Sequence, residues 1–165
     1  MPDPTVSEES EALLSSLQGQ RGHVLGALEG LGEQDLRRPV LPTGWTCLGL
    51  VQHLALDVER FWFRAVMAGQ PGLIPEANAW QVASGTPAGA VLDLYRQETE
   101  LATGIITATS LDAEPAWWPD WFGNWRLHNL RQIILHVITE TACHAGHLDA
   151  ARELIDGHTW LILTD

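Results

Sequence analysis

Apolar residues recur at helical spacing in four stretches of the chain. From about Ser7 to Leu31, Leu13, Leu14, Leu17, Val24, Leu25 and Leu28 follow three- and four-residue steps, the pattern of an amphipathic helix. Thr5 and Glu8 stand at capping-box spacing ahead of it, and Gly30 and Gly32 mark its end. A connector from Glu33 to Gly44 holds Pro39 and Pro42. A second helix then starts at Thr46, a good N-cap, and stops before Gly69. Thr86-Pro87 opens a third helix, with proline at the first helical position, where its missing N–H costs nothing. The fourth runs from about Asn129 to Asp156, with Gly157 as a left-handed stop. The tail carries the apolar run Trp160–Leu163, expected to pack back on the helices.

All nine prolines fall outside these helices or at a helix start, which supports the boundaries. The connector between helices three and four, about Ser110 to Leu127, is longer than most loops and rich in tryptophan. It reads either as a lid over an apolar pocket or as ordinary packing on the end of the helices. The pattern predicts an all-α fold: a four-helix bundle with one long Trp-rich connector between helices 3 and 4, built as a single domain over residues 1–165.

Composition narrows the function classes. Of 165 residues, 45 % are hydrophobic, enough for one core. The net charge is −12, from 21 acidic and 9 basic residues. No Lys/Arg cluster offers the basic face that nucleic acid requires, so no nucleic-acid partner is expected. No apolar run approaches the roughly 18 residues of a membrane span, and the acidic start lacks the form of a secretion signal. A cytoplasmic protein with no membrane partner is the expectation. Cys47 and Cys143 do not make a disulfide framework and read as reduced thiols.

The chemistry concentrates on helix four. With His136 as origin and about 100° per residue, Glu140 lies near 40°, Cys143 near −20°, His144 near 80° and His147 near 20°. Groups able to bind metal thus share one wedge of an otherwise apolar helix. Solvent faces usually carry Lys, Glu and Arg; this stripe carries mostly imidazoles, the commonest transition-metal ligand. Glu140 and His144, four residues apart, point the same way one turn apart. A third ligand has to come from elsewhere, and His53 stands in the apolar part of helix two. A lone His there is ordinarily a hydrogen-bonded core residue. The stripe on another helix favours a ligand, because bundles build metal sites from facing helices.

The neighbours carry weaker assignments. His147 is the candidate acid–base group, an alternative ligand, or structural. His136 is a candidate supporting group, or a core histidine. Asp57, four residues after His53, either orients that imidazole or pairs with Arg60 or Arg64. Asp149 and Arg152 are spaced for an ion pair. Cys143 is expected to be a small buried hydrophobe, and Cys47 structural despite its place at a helix start.

Two motifs resemble a known family. Gly44-Trp45-Thr46 followed by His53-Leu54 is similar to the start of the second helix in the DinB/YfiT-like metalloenzyme superfamily. Glu140-Thr-Ala-Cys-His144-Ala-Gly-His147 resembles the last helix of its actinobacterial-type branch, related to mycothiol-dependent maleylpyruvate isomerases. The resemblance spans essentially the whole chain. It implies a four-helix bundle holding a divalent metal, often zinc or nickel, on one His of helix two and two residues of the last helix. The usual pair there is His-x₃-His; here Glu140 replaces the first, so the implied set is His53, Glu140 and His144.

The resemblance also implies an activity class. Relatives include isomerases and S-transferases using bacillithiol or mycothiol, and they are often homodimers. The expectation is a metal-dependent enzyme joining a low-molecular-weight thiol such as mycothiol to a small electrophilic substrate, or isomerising it. Alternatives are a metal-dependent hydrolase and a non-catalytic small-molecule-binding or stress-response protein with a bound metal. A metal-induced thiolate serves the first, an activated water the second.

Overall fold

The computed structural model describes residues 7–160. Its first helix, α1 (Glu8–Leu28), is capped by Ser7, whose hydroxyl accepts from the Ser10 amide at 3.2 Å. The expected cap at Thr5 lies outside the described residues. The connector after it contains a one-turn helix, α2 (Glu33–Leu36). Helix α3 (Cys47–His53) begins at Thr46, whose Oγ1 accepts from the Gly49 amide at 3.0 Å. Helix α4 spans Ala88–Ala108 and α5 spans Leu130–Asp156. Asn129 caps α5, and Gly157 ends it at φ 75°. Pro87 takes the N-cap of α4 rather than its first turn. A proline has no capping side chain; the Glu33 carboxylate of α2 accepts from the Ala88 amide at 2.8 Å instead.

The second long helix departs from the simple α pattern. From Leu54 to Met67 it is π-helical, with amides bonded five residues back rather than four. The Ala68 amide, for example, donates to the Phe63 carbonyl at 3.0 Å. Helix α1 packs on α5, and the π segment packs on α4. Leu17, Leu50, Leu54, Tyr95, Ile133 and Leu148 are fully buried where these helices meet. Among the described residues there is no strand, and no helix is long and apolar enough to cross a membrane.

The Trp-rich connector is tied down at both ends. The Ala116 and Trp117 amides donate to the Met67 and Val66 carbonyls, which the end of the π segment leaves free. The Leu130 and Arg131 amides reach back to Ala113 and Leu111. Between these anchors, Trp118, Phe122 and Trp125 gather on Trp62. Of the tail, Trp160 reaches Gly26 with the outer edge of its indole, where a Cβ would collide with the ring. The rest of the expected apolar run, residues 161–163, lies outside the described residues.

A buried ionic layer crosses the helices. Arg21 of α1 donates through Nε and Nη2 to both oxygens of Glu59, at 2.7 and 2.6 Å, and through Nη1 to Thr103 of α4 at 2.9 Å. Glu98 of α4, 1 % exposed, accepts from Arg60 and Arg64. Burial pushes the Glu59 carboxyl above its usual range, and the two Arg21 bonds oppose that. At the far end, Arg152 of α5 donates to the Ala27 and Glu29 carbonyls that close α1 and pairs with Asp156. The expected Asp149–Arg152 pair does not form: Asp149 binds His23 across the α1–α5 seam at 2.8 Å.

Arg21→Met leaves a carboxylate buried without its partner. It is expected to lower unfolding stability by about 3–5 kcal/mol in urea titrations, and Arg21→Met/Glu59→Leu to recover most of that loss.

Candidate metal centre

His53 ends α3 at the junction with the π segment. Its Nδ1 lies 2.8 Å from Asp57 Oδ2. The acceptor carboxylate places the ring proton on Nδ1 and leaves the Nε2 lone pair available. Asp57 has no competing arginine, because Arg60 and Arg64 both turn to Glu98.

Helix α5 brings Glu140 and His144 to the same place. The His53 and His144 rings meet edge to face with centroids 5.1 Å apart. His144 Nε2 is 3.7 Å from Glu140 Oε2. One ligand atom from each of His53, Glu140 and His144 lies within 4.8 Å of the other two, and all three residues are partly buried. An ion about 2.0–2.2 Å from each donor needs donors no more than about 4.4 Å apart. Small side-chain rotations close that gap. Two imidazoles and one carboxylate suit a divalent transition ion and leave a coordination position open. Burial holds the His144 imidazole below the usual histidine range, helped by His53 and His147 and opposed by Glu140. A neutral ring is the form that can donate a lone pair.

His147 is exposed and lies outside the cluster. Its Nδ1 approaches His144 Nδ1 at 3.4 Å, on the side of that ring away from Glu140. His136 is one turn further towards the start of α5. It sits half-buried against Trp62 and Trp125, with ring centroids at 4.7 and 5.7 Å. Burial also lowers its pKa, against the pull of Glu140. Cys143 is exposed, which corrects the expectation of a buried hydrophobe: it falls on the solvent edge of the α5 stripe. Cys47 is buried, and burial pushes its thiol up to about 11, a poor value for a nucleophile at neutral pH.

Sequence reasoning missed Trp80. This loop residue stacks on His53, with centroids 4.3 Å apart and planes at 20°, and touches His144 edge-on. Gln52 fastens the loop by donating to the Ala79 carbonyl at 2.7 Å. Gly49 admits it, since a Cβ there would collide with the Trp80 carbonyl oxygen. A glycine in the first turn of a buried helix was the available signal. Beside Trp80 opens a cleft of about 380 Å³ lined by Thr43, Gly44, Trp45, Asn78, Trp80 and Gln81. Trp45 also packs on His147, so the cleft adjoins the His/Glu/His cluster.

Fold and site together define a class: all-helical proteins with a His/Glu/His cluster set between two separate helices. Residues 12–157 match the family model for mycothiol-S-transferase. The chain belongs to the mycothiol-S-transferase family, a DinB-like family, in agreement with the DinB/YfiT-like motifs. No curated protein matches the chain.

Two outcomes follow from the packing around the centre. Gly49→Ala is expected to displace the Trp80 loop, seen as lost ring-current shifts on the His53 imidazole in NMR spectra. In the native protein a chromogenic disulfide is expected to titrate Cys143 alone, with Cys47 reacting only after unfolding.

Proposed function

We propose that this chain is a single-domain four-helix bundle of the DinB type, and that it transfers a low-molecular-weight thiol, mycothiol by family, to a small electrophile at a metal centre. His53, Glu140 and His144 are the ligands in this reading. The observation that carries it is the convergence of those three residues within 4.8 Å in a chain whose family is named for mycothiol transfer. A divalent ion, zinc or nickel in character, would supply positive charge that favours thiolate over thiol.

The chain's own residues do the rest. Asp57 holds the His53 ring in one tautomer. Trp80 and the half-buried setting limit water at the cluster. The cleft between residues 43–45 and 78–81 takes the thiol's polar body. His147, exposed beside His144, accepts the thiol proton and passes it to solvent. The sulfur then bonds to the electrophilic carbon, and the leaving group departs with the electrons of the bond it loses.

Protein purified without a histidine tag and loaded with zinc is expected to hold one ion per chain. His53→Ala, Glu140→Ala and His144→Ala should each abolish that stoichiometry, and Asp57→Asn should weaken affinity about 10- to 100-fold in chelator competition. Thiol-dependent consumption of an electrophile should follow the metal content. Turnover without thiol would instead indicate a hydrolase. Failure to bind any divalent ion after reconstitution would overturn the reading.

A further inference from the structure

Two contacts along the seam between α5 and the second long helix have matching order. His53 meets His144, and nine residues further along one helix Trp62 meets His136, eight residues back along the other. Antiparallel helices pair in this way, so both contacts lie on one continuous seam, and Glu140 stands midway between them. Four residues of α-helix separate Glu140 from His136, a rise of about 6 Å.

This alignment depends on the π segment. At about 100° per residue, a residue nine positions after His53 would face about 180° away. Bonds closing five residues apart lengthen the turn to about 4.4 residues, so nine residues make about two turns. Trp62 therefore comes back to the face that carries His53 and Asp57. An unbroken run of this kind is unusual, and π-helical geometry often marks functional sites.

What stands there is a wall of π faces. Trp62 is buried, with Phe122 stacked parallel to it at 5.9 Å and Trp125 edge-on at 6.0 Å. Trp125 also packs on His136 and is 46 % exposed, so part of its indole faces solvent next to that imidazole. Arg126 lies over the neighbouring Trp118 ring at 5.4 Å and places a cation at the rim. Indole faces are electron-rich and stack best on electron-poor rings; the guanidinium suits a ring bearing nitro, carbonyl or carboxylate groups.

We infer that Trp62, Trp125 and His136 form the acceptor subsite, and that the acceptor is a planar, electron-poor aromatic electrophile. The inference rests on the thiol-transfer reading for its chemistry but not for its binding. In the step it implies, the thiol sulfur bonds to the activated ring carbon. The displaced halide or other anion leaves with its bonding pair, and the thiol proton passes to solvent.

The test compares two acceptors and one unreactive ligand. With mycothiol, Trp125→Ala is expected to raise KM for 1-chloro-2,4-dinitrobenzene about three- to tenfold relative to its KM for iodoacetamide, and Trp125→Phe to restore most of the difference. In metal-free protein without thiol, calorimetry should show 1,3-dinitrobenzene binding weakened by a similar factor in Trp125→Ala. Equal effects on both acceptors, or unchanged dinitrobenzene affinity, would overturn the subsite. Absent turnover with either acceptor would sink the thiol-transfer reading, while the calorimetric result would still decide the aromatic one.

Discussion

The bond between His53 Nδ1 and Asp57 fixes which nitrogen of His53 faces α5. A histidine at a helix junction has two usable nitrogens and a freely rotating ring. Asp57 removes that freedom from one side and Trp80 from the other. Only then do Glu140 and His144 meet a donor at a defined place. Asp57 is available for this because Glu98, deep in α4, takes up both nearby arginines. The buried charges and the cluster are thus parts of one arrangement, in which each carboxylate has its own cation or imidazole.

That arrangement is costly in isolation. Glu59 and Glu98 are almost wholly removed from water, and ions so placed gain little net stability even when well paired. Their effect is positional. Bidentate bonds from Arg21 set the rotation of α1 against the π segment, and the Arg60–Glu98–Arg64 group sets it against α4. A purely apolar seam would tolerate sliding by a turn; directional bonds between fixed partners do not.

Much of this was legible in the sequence, for identifiable reasons. The helices follow from apolar stripes and from capping residues such as Thr46, Asn129 and Gly157. The pair Glu140 and His144 follows from four-residue spacing on an apolar helix, and His53 from being an imidazole in apolar company, with the family motifs naming the set. The π segment was not legible, because its apolar residues satisfy a 3.6-residue period nearly as well over three turns. Nothing in the sequence marks Glu59 and Glu98 as buried, since acidic residues are usually exposed. Trp80 was hidden because a loop's docking place depends on tertiary packing; Gly49 was the one local sign. Asp149 chose His23 over Arg152 because the α1 carbonyls offered Arg152 buried acceptors that no spacing rule registers.

The hydrogen bond from the Ala88 amide to Glu33 joins positions 55 residues apart. It closes the intervening chain, which carries His53, Asp57 and Trp80, into a ring whose two ends meet at the start of α4. Arg37, just after α2, donates to the Thr86 carbonyl and closes the same ring a second time, so the start of α4 and the segment bearing the cluster are tied together at one place. A short helix and the arginine that follows it thus help to hold in place the segment that supplies one of the cluster's half-buried imidazoles.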